Sequence, residues 1–238
     1  MNYYFYGVKK GLPIGLGYLA VSMAFGVMCV NGGISPLMAT IISFTNLTSA
    51  GQFAAVQLIF QVASFIEIFL TVLLINLRYA LMSLSLTQKI DPSMTKLQRL
   101  ICSFGITDEI FAVAITEDKK VNTSYLLGLT TLPLLGWTLG TLLGAVGATF
   151  MSERFLNAMN IALYAMFIAI VVPDAKKNKN VFFVCLMAIA LSLFFEFVPG
   201  VKEIGLGFKI IISTIISCVI GASVFPRKET ELNEWDFI

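Results

Sequence analysis

The chain has 238 residues, of which 58% are hydrophobic and only 13% are charged, about half the charged share of an ordinary soluble domain. No charged residue lies between Lys10 and Glu67, and a second uncharged stretch covers positions 121–152. A soluble enzyme or a disordered protein needs a polar surface that this composition cannot supply, and the strands of an outer-membrane barrel would alternate polar and apolar residues. The composition therefore predicts an all-α polytopic membrane protein with a single integral membrane domain over 1–238.

The residue types exclude several kinds of site. The chain has no histidine, and its four cysteines are widely separated. The sequence therefore offers no histidine-based metal site, no metal motif of cysteines and no serine catalytic triad. We predict neither a cofactor nor a metal ion, and we expect that the protein is not an enzyme.

Apolar segments follow one another along the chain at lengths near the roughly 20 residues that cross a bilayer. The N-terminus reads as a retained first helix preceded by a cytoplasmic stretch, 1–10. A polar loop, Gln88–Arg99, and a charged cluster, Glu117–Lys120, interrupt the middle of the chain. A cytoplasmic tail is predicted over 227–238. Full spans are predicted at Gly11–Val30, Ser64–Leu86, Thr123–Phe150, Leu156–Pro173, Val181–Val198 and Gly205–Phe225.

Two further segments, Pro36–Gln61 and Leu100–Thr116, carry polar residues in their middle. If both cross fully, the chain has eight spans and the loop Gln88–Arg99 is outside; if both are broken or re-entrant, it has six and that loop is cytoplasmic. Lysine and arginine concentrate on the cytoplasmic side. Leaving out Arg78 and Lys209 as membrane-embedded, six spans place twelve basic residues inside against two outside, and eight spans nine against five. The count favours six, with both termini on the cytoplasmic side of the inner (plasma) membrane.

The segment Pro36–Gln61 contains the run TNLTSAGQF at positions 45–53. Glycine and small polar residues at mid-depth permit an unwound helix, whose freed backbone N–H groups can bind a carboxylate. The alternative is a helix contact lined by small residues. We predict a break at Ser49–Phe53 that binds a substrate's carboxylate, with Arg78 as an alternative partner for it. The candidate substrate-binding residues are Asn46, Ser49, Gly51, Gln52 and Arg78.

Ionisable side chains at membrane depth are costly and usually line a cavity or pair with a partner. Asp108 and Glu109 stand together in one apolar segment, whereas Glu67 and Arg78 share a helix face about 16 Å apart along the axis. Burial disfavours the charged form of a carboxylate, so we predict Asp108 and Glu109, and after them Glu67, as proton carriers. The alternatives are an interfacial position for Glu67 and snorkelling of Arg78.

A repeated small face is formed by Gly136, Gly140 and Gly144, which are spaced by four residues. Such a face lets another helix backbone approach closely. We predict that it packs against a helix of this chain or of a partner.

Four stretches together resemble one protein family. They are GLPIGLGYLAVSMAFG at 11–26, TSAGQFAAVQL at 48–58, NLRYALMSLSL at 76–86 and FGITDEIFAVA at 104–114. In order and spacing they are similar to the AzlC-type branched-chain amino acid permeases, the large subunits of two-component exporters. Where that family commonly has His after Arg in the NLR motif, this chain has Tyr79.

The resemblance implies a secondary transporter subunit that exports branched-chain or other hydrophobic amino acids. It also implies coupling to a proton gradient and a small membrane partner of the AzlD type. Two other functions remain open from the residues alone. One is a passive channel or structural membrane subunit, and the other is an intramembrane enzyme with a carboxylate as acid or base.

Overall fold

A computed structural model describes residues 2–148, 150, 154, 161, 168, 171–173 and 175–226. The described part is helical, which confirms the all-α polytopic fold. Five of its helices, α1, α4, α7, α8 and α9, are long and apolar enough to cross a membrane, and each coincides with a predicted span. Most of the predicted span Leu156–Pro173 and the whole predicted tail lie outside the described residues. The helices are α1 (Tyr3–Asn31), α2 (Pro36–Thr45), α3 (Ala50–Phe60), α4 (Phe65–Thr87), α5 (Lys96–Ser103), α6 (Asp108–Ile115), α7 (Thr123–Gly147), α8 (Lys179–Phe197) and α9 (Leu206–Val224).

The chain divides into two compact units. The first consists of Met1–Val56 and Ile75–Tyr164, and the second of Gln57–Leu74 and Ala165–Ile238. The division falls within α3 and within α4, so each of these helices contributes one end to each unit. The first unit contains most of the predicted site residues.

Helix starts in the first unit follow capping residues. The side chain of Asn2 accepts a hydrogen bond from the N–H of Tyr4, so α1 begins at Tyr3 and the predicted N-terminal stretch 1–10 is almost entirely helical. Thr95 and Gln98 form a capping box, which starts α5 at Lys96, four residues before the predicted segment. Such reciprocal bonds satisfy N–H groups that lack a partner in the first turn of a helix.

Helices α1 and α7 run parallel and pack backbone against backbone. Along α1, Gly7 lies against Tyr125 and Gly26 against Thr141, so both helices begin at the same end of the unit. In return Gly136 contacts the carbonyl of Gly15. The neighbouring positions Gly140 and Gly144 contact the carbonyls of Leu19 and Met23. A Cβ atom at any of these glycines would collide with the facing backbone, so the predicted small face is occupied by α1 of the same chain.

We call α2 and α3, with the unwound residues 46–49 between them, the uncharged hairpin. Helix α2 begins shortly after the C-terminal end of α1, and Ser43 Oγ lies 2.7 Å from Thr141 Oγ1. Helix α3 starts beside Trp137, and the Phe53 ring packs edge-on against Phe25, 5.1 Å between centroids. Phe25 lies in the C-terminal half of α1. The hairpin therefore enters from the C-terminal ends of α1 and α7 and turns back towards them.

We call α5 and α6, with residues 104–107 between them, the acidic hairpin. Its tip lies against the middle of α1, where the Tyr18 hydroxyl is hydrogen-bonded to Thr107 Oγ1 at 2.7 Å. Just after α6, Glu117 accepts hydrogen bonds from the hydroxyls of Tyr6 and Tyr125, each at 2.9 Å, near the N-terminal ends of α1 and α7. The acidic hairpin therefore enters and leaves at the end opposite to the uncharged hairpin.

The loop that follows α4 lies at the N-terminal ends of α1 and α7. The N–H of Asp91 donates to the carbonyl of Val121 at 2.9 Å, and the N–H of Val121 donates to Lys89 at 3.0 Å. The predicted loop Gln88–Arg99 is thus at the same end as the N-terminus. This position agrees with the re-entrant alternative and disagrees with eight full spans, which would place the loop at the other end.

In the second unit, Glu67 is almost fully buried and stands at the start of α9. Its Oε1 accepts hydrogen bonds from the N–H of Gly207 at 2.8 Å and of Phe208 at 3.4 Å. A carboxylate at this place satisfies N–H groups that have no partner within the helix and complements the positive end of the helix dipole. Further along the same unit, Lys209 Nζ lies 3.7 Å from Glu196 Oε2.

Candidate functional site

The candidate site lies where the tips of the two hairpins meet the middle of α1, α4 and α7. Tyr18 of α1 and Trp137 of α7 form its centre, with their rings edge-to-face at 5.3 Å between centroids. Trp137 is 1% exposed and Tyr18 is 8% exposed. Each ring carries a polar group that must find a partner when it is buried, and each finds it on a different hairpin.

The acidic hairpin provides the partners of Tyr18. The Tyr18 hydroxyl donates to the Glu109 carboxylate, and its oxygen is hydrogen-bonded to the Thr107 hydroxyl. Thr107 is also the N-cap of α6 and accepts from the N–H of Ile110. Asp108 and Glu109 thus occupy the first turn of α6, where the helix dipole favours negative charge.

Asp108 forms an ion pair with Arg78 of α4. Arg78 Nη1 lies 2.6 Å from Asp108 Oδ2, and both side chains are about one third exposed, at 37% and 31%. The tip therefore holds two carboxylates, Asp108 and Glu109, beside one guanidinium. Asp108 is paired with that cation, whereas Glu109 is held by hydrogen bonding to Tyr18.

The uncharged hairpin provides the partner of Trp137. Trp137 Nε1 donates to Gln52 Oε1 at 3.1 Å, and Gln52 Nε2 donates to Ser43 Oγ at 2.6 Å. All three side chains are buried. These hydrogen bonds fix the first turn of α3 against α2 and α7. Both ends of the Gln52 amide already have a partner within the protein.

The unwound tip of the uncharged hairpin touches α4 beside the ion pair. Its last residue, Ser49, has φ of 48°, a left-handed backbone conformation that residues other than glycine, asparagine and aspartate seldom adopt. The Tyr79 hydroxyl donates to the Thr48 carbonyl at 3.2 Å, and Arg78 Nη2 lies 3.4 Å from the same hydroxyl. At Gly51 a Cβ atom would come within 2.6 Å of Asn76 Oδ1.

Three polar atoms around this tip are buried without a hydrogen-bond partner in the described part of the chain. They are Ser49 Oγ, Asn76 Oδ1 and Arg78 Nε. Buried polar groups in folded proteins are nearly always paired, and leaving one unpaired costs about 1–3 kcal/mol. A group of unpaired atoms next to an unwound helix is what a binding site for a small polar ligand presents.

The structure gathers most of the predicted site residues into one place, with two differences. The break is at residues 46–49, three residues earlier than predicted, because Gly51 and Gln52 already lie in the first turn of α3. Asn46 lies in the break, where its Oδ1 accepts from Thr48 Oγ1 at 2.7 Å. Glu67 belongs to the second unit, where its carboxylate accepts hydrogen bonds at the start of α9.

The sequence reasoning did not select Tyr18, Trp137, Asn76 or Tyr79 as site residues. Tyr18 and Trp137 stand in apolar stretches without a polar motif around them, so they carried no signal of their own. Tyr79 was visible only as the residue in place of the family's usual His. Asn76 was visible as an uncharged polar residue two positions before Arg78. The α1 partner of the α7 glycines was also visible, because Gly7, Gly11 and Gly15 are spaced by four residues.

The fold and the site define a helical membrane protein with two broken hairpins around a polar centre. Comparisons with known proteins agree that the chain is a membrane protein. A family model described as AzlC protein matches residues 13–151, which include both hairpins, α4, α7 and α1 from Pro13 onwards. The chain belongs to the AzlC family. No solved structure matches the chain.

Relatives of the chain are membrane proteins. An uncharacterized membrane protein of Archaeoglobus fulgidus is 33% identical, over 71% of this chain and 75% of that protein. The inner membrane protein YgaZ of Escherichia coli is 25% identical, over 73% and 74%. The branched-chain amino acid transport protein AzlC of Bacillus subtilis is 23% identical, over 71% and 66%. The chain is therefore a membrane protein of a family associated with amino acid transport.

Proposed function

We propose that this chain is the large subunit of a secondary transporter that exports branched-chain or other hydrophobic amino acids, driven by a proton gradient. One observation carries the proposal: the ion pair between Arg78 and Asp108 joins α4 to the acidic tip, beside the unwound tip of the uncharged hairpin. A guanidinium next to freed backbone N–H groups suits the carboxylate of an amino acid. The relative named for branched-chain amino acid transport supports the same substrate class.

A hydrophobic substrate side chain also fits the surroundings of this tip. Leu47 lies within the break and is 5% exposed, while Phe53 and Phe25 form a buried aromatic pair close by. Small-molecule sites are commonly apolar with a few placed polar groups. The polar groups would bind the ends common to all amino acids, and the apolar groups would select the side chain.

The direction of coupling restricts which group carries the proton. An exporter driven by inward proton flow must exchange a proton for a substrate molecule. The proton and the substrate must therefore compete for one group of the protein. Asp108 or Glu109 meets this condition, because a carboxylate that pairs with the substrate's ammonium group cannot also hold a proton. The tip has two carboxylates for one guanidinium, which leaves one for this exchange. Glu67, bound to the start of α9, is less suited.

Transport by inverted membrane vesicles tests the proposal. With an imposed pH gradient, vesicles that contain the transporter should accumulate radiolabelled leucine, isoleucine or valine, and without a gradient they should not. Equilibration that does not depend on the gradient would instead indicate a passive channel. A chain that neither accumulates nor equilibrates any amino acid, with its partner present, would contradict the transport function.

The small partner subunit rests on the resemblance to two-component exporters. The glycine face at Gly136, Gly140 and Gly144 does not support it, because α1 covers that face. Expression of this chain alone should give an inserted but inactive protein, and co-expression with the small subunit should restore export. Full export by vesicles containing this polypeptide alone would contradict the requirement.

A further inference from the structure

We propose that Asn76 binds the α-ammonium group of the substrate, so that the site takes an amino acid as an intact zwitterion. The inference rests on the proposed function. It adds a residue that binds the substrate and a selectivity for substrates with an α-ammonium group. It starts from the position of Asn76 on α4, where the side-chain amide lies directly against the first turn of α3. A Cβ atom on Gly51 would come within 2.6 Å of its Oδ1 and 2.7 Å of its Nδ2.

The chemistry of the unpaired atoms matches the two ends of an amino acid. Asn76 Oδ1 is an acceptor, and an ammonium group carries three N–H donors. Arg78 Nε is a donor, and a carboxylate is an acceptor. Both atoms are buried and unpartnered in the described part of the chain, so a ligand that supplies both partners removes both desolvation penalties.

The third unpaired atom, Ser49 Oγ, belongs to the same place. Ser49 is two residues before Gly51 and directly after Thr48, whose carbonyl accepts from the Tyr79 hydroxyl. A hydroxyl both donates and accepts, so Ser49 can serve either end of a zwitterion. The left-handed backbone at Ser49 is the kind of local strain that folded proteins retain at binding sites.

Asn76 and Arg78 are two positions apart on α4 and leave the helix in different directions. The side chain of Tyr79 bridges this difference. Its hydroxyl lies 3.4 Å from Arg78 Nη2 and 3.2 Å from the Thr48 carbonyl, so the guanidinium bends towards the tip that Asn76 contacts. Both Asn76, through Gly51, and Arg78, through Tyr79, therefore reach the same tip. An ammonium group bound by Asn76 keeps two N–H groups free for Ser49 and a carboxylate of the acidic tip.

Binding to the purified protein in lipid nanodiscs, together with its small subunit, tests the inference without requiring transport. The probes are leucine and the α-keto acid with the same side chain, which keeps the carboxylate but has no ammonium donor. The wild type should bind leucine more tightly by roughly ten- to a hundredfold. In Asn76→Leu the affinity for leucine should fall by a similar factor, whereas the weak binding of the keto acid should change little.

A second variant distinguishes the oxygen of the amide from its nitrogen. Asn76→Asp keeps an acceptor oxygen and loses the N–H donors, so it should retain the preference for leucine. If Asn76→Asp loses leucine binding while it folds, the amide donates to the carboxylate and the inference is overturned. This variant also decides the question if Asn76→Leu does not fold. Asn180→Leu, an exposed position on α8, serves as the control for the substitution and should bind both probes as the wild type does.

The remaining outcomes separate the inference from the proposed function. A wild type that binds no hydrophobic amino acid would overturn both. A wild type that binds leucine, with Asn76→Leu unchanged in affinity and selectivity, would overturn only the role of Asn76. Equal loss of leucine and keto acid in Asn76→Leu would also overturn it, because a general packing defect does not discriminate between the two probes.

Discussion

The uncharged hairpin and the acidic hairpin both interrupt a helix in the middle of the first unit, but the polar groups at their tips are partnered differently. At the acidic tip, Thr107, Asp108 and Glu109 are bound by Tyr18 or Arg78. At the uncharged tip, Ser49 Oγ and the facing Asn76 Oδ1 have no partner in the described part of the chain. A tip with unpaired neutral groups can accept a ligand. A tip with paired carboxylates can exchange the partner of a carboxylate, a proton for a cationic group. The comparison predicts that one tip determines binding and the other determines coupling.

The largest expected effect is on binding, from Gly51→Val in the uncharged hairpin. The new Cβ atom would meet the Asn76 amide at 2.6 Å, and overpacking of this kind costs about 1–3 kcal/mol. Transport and leucine binding should be abolished while insertion into the membrane continues. Gly17→Val is the matched control, because no atom lies within 4 Å of a Cβ at Gly17. Normal transport by Gly51→Val would place the substrate elsewhere.

The corresponding change at the acidic tip is the double variant Asp108→Asn, Glu109→Gln. Both side chains lose their charge but keep their shape, so exchange of labelled for unlabelled amino acid should persist. The affinity for leucine should be lower than in the wild type, because the substrate's ammonium group loses a charged partner. Accumulation driven by a pH gradient should be lost. Counterflow and gradient-driven uptake are measured on the same inverted vesicles. Continued accumulation against a gradient would remove these two residues from the coupling and make Glu67→Gln the next variant to measure.

Arg78→Lys affects both tips, because Arg78 contacts Asp108 of one and, through Tyr79, the Thr48 carbonyl of the other. A lysine ammonium keeps the charge but cannot reproduce the planar fork of the guanidinium. Leucine affinity should fall by roughly tenfold or more, and the variant should still insert. Lys209→Arg, whose native side chain pairs with Glu196 in the second unit, should leave leucine affinity unchanged. If Arg78→Lys binds as well as the wild type, the guanidinium does not recognise the carboxylate.

Labelling tests the opposite entry of the two hairpins. In a background without native cysteines, Ser93→Cys marks the loop before the acidic hairpin, and Asn31→Cys marks the connection before the uncharged hairpin. Both positions are exposed. A membrane-impermeant maleimide should label Asn31→Cys in intact cells and Ser93→Cys only after the cytoplasmic face is opened. Labelling of both in intact cells would contradict the arrangement.

The smallest expected effect concerns Asp91, in the loop before the acidic hairpin. Hydrogen bonds from Ser93 lower the pKa of the Asp91 carboxyl, with a lesser contribution from Lys120. A lowered pKa in the folded state adds stability above the unfolded-state value, and this stability is lost as the pH falls through the folded-state value. Asp91→Ala should therefore melt slightly lower than the wild type at neutral pH, and the difference should vanish at acidic pH. Thermal unfolding in detergent at several pH values measures it.

The residues of the sequence were sufficient to predict the class of protein and where its polar groups lie. An uncharged stretch from Gly11 to Ile66 has no place except in a membrane. Polar residues are rare in the apolar segments of this chain, so TNLTSAGQF and Asp108-Glu109 stood out. The positive-inside count also favoured the re-entrant alternative. The prediction of the class succeeds because water and lipid constrain each segment separately, and a segment's own composition is enough to evaluate that constraint.

Which polar side chains pair with each other, and which helices pack together, was decided only by the tertiary structure. The sequence placed Glu67 and Arg78 on one helix face, but the folded chain commits Glu67 to the start of α9 and Arg78 to Asp108. It contained glycines spaced by four residues in both α1 and α7 without showing that the two sets pack against each other, and it placed the break three residues too late. Tyr18, Trp137 and Asn76 acquire a role only when distant segments meet. The physical reason is that the cost of a buried polar group depends on which partner is within hydrogen-bond distance, and that distance is set by packing between helices far apart in the chain.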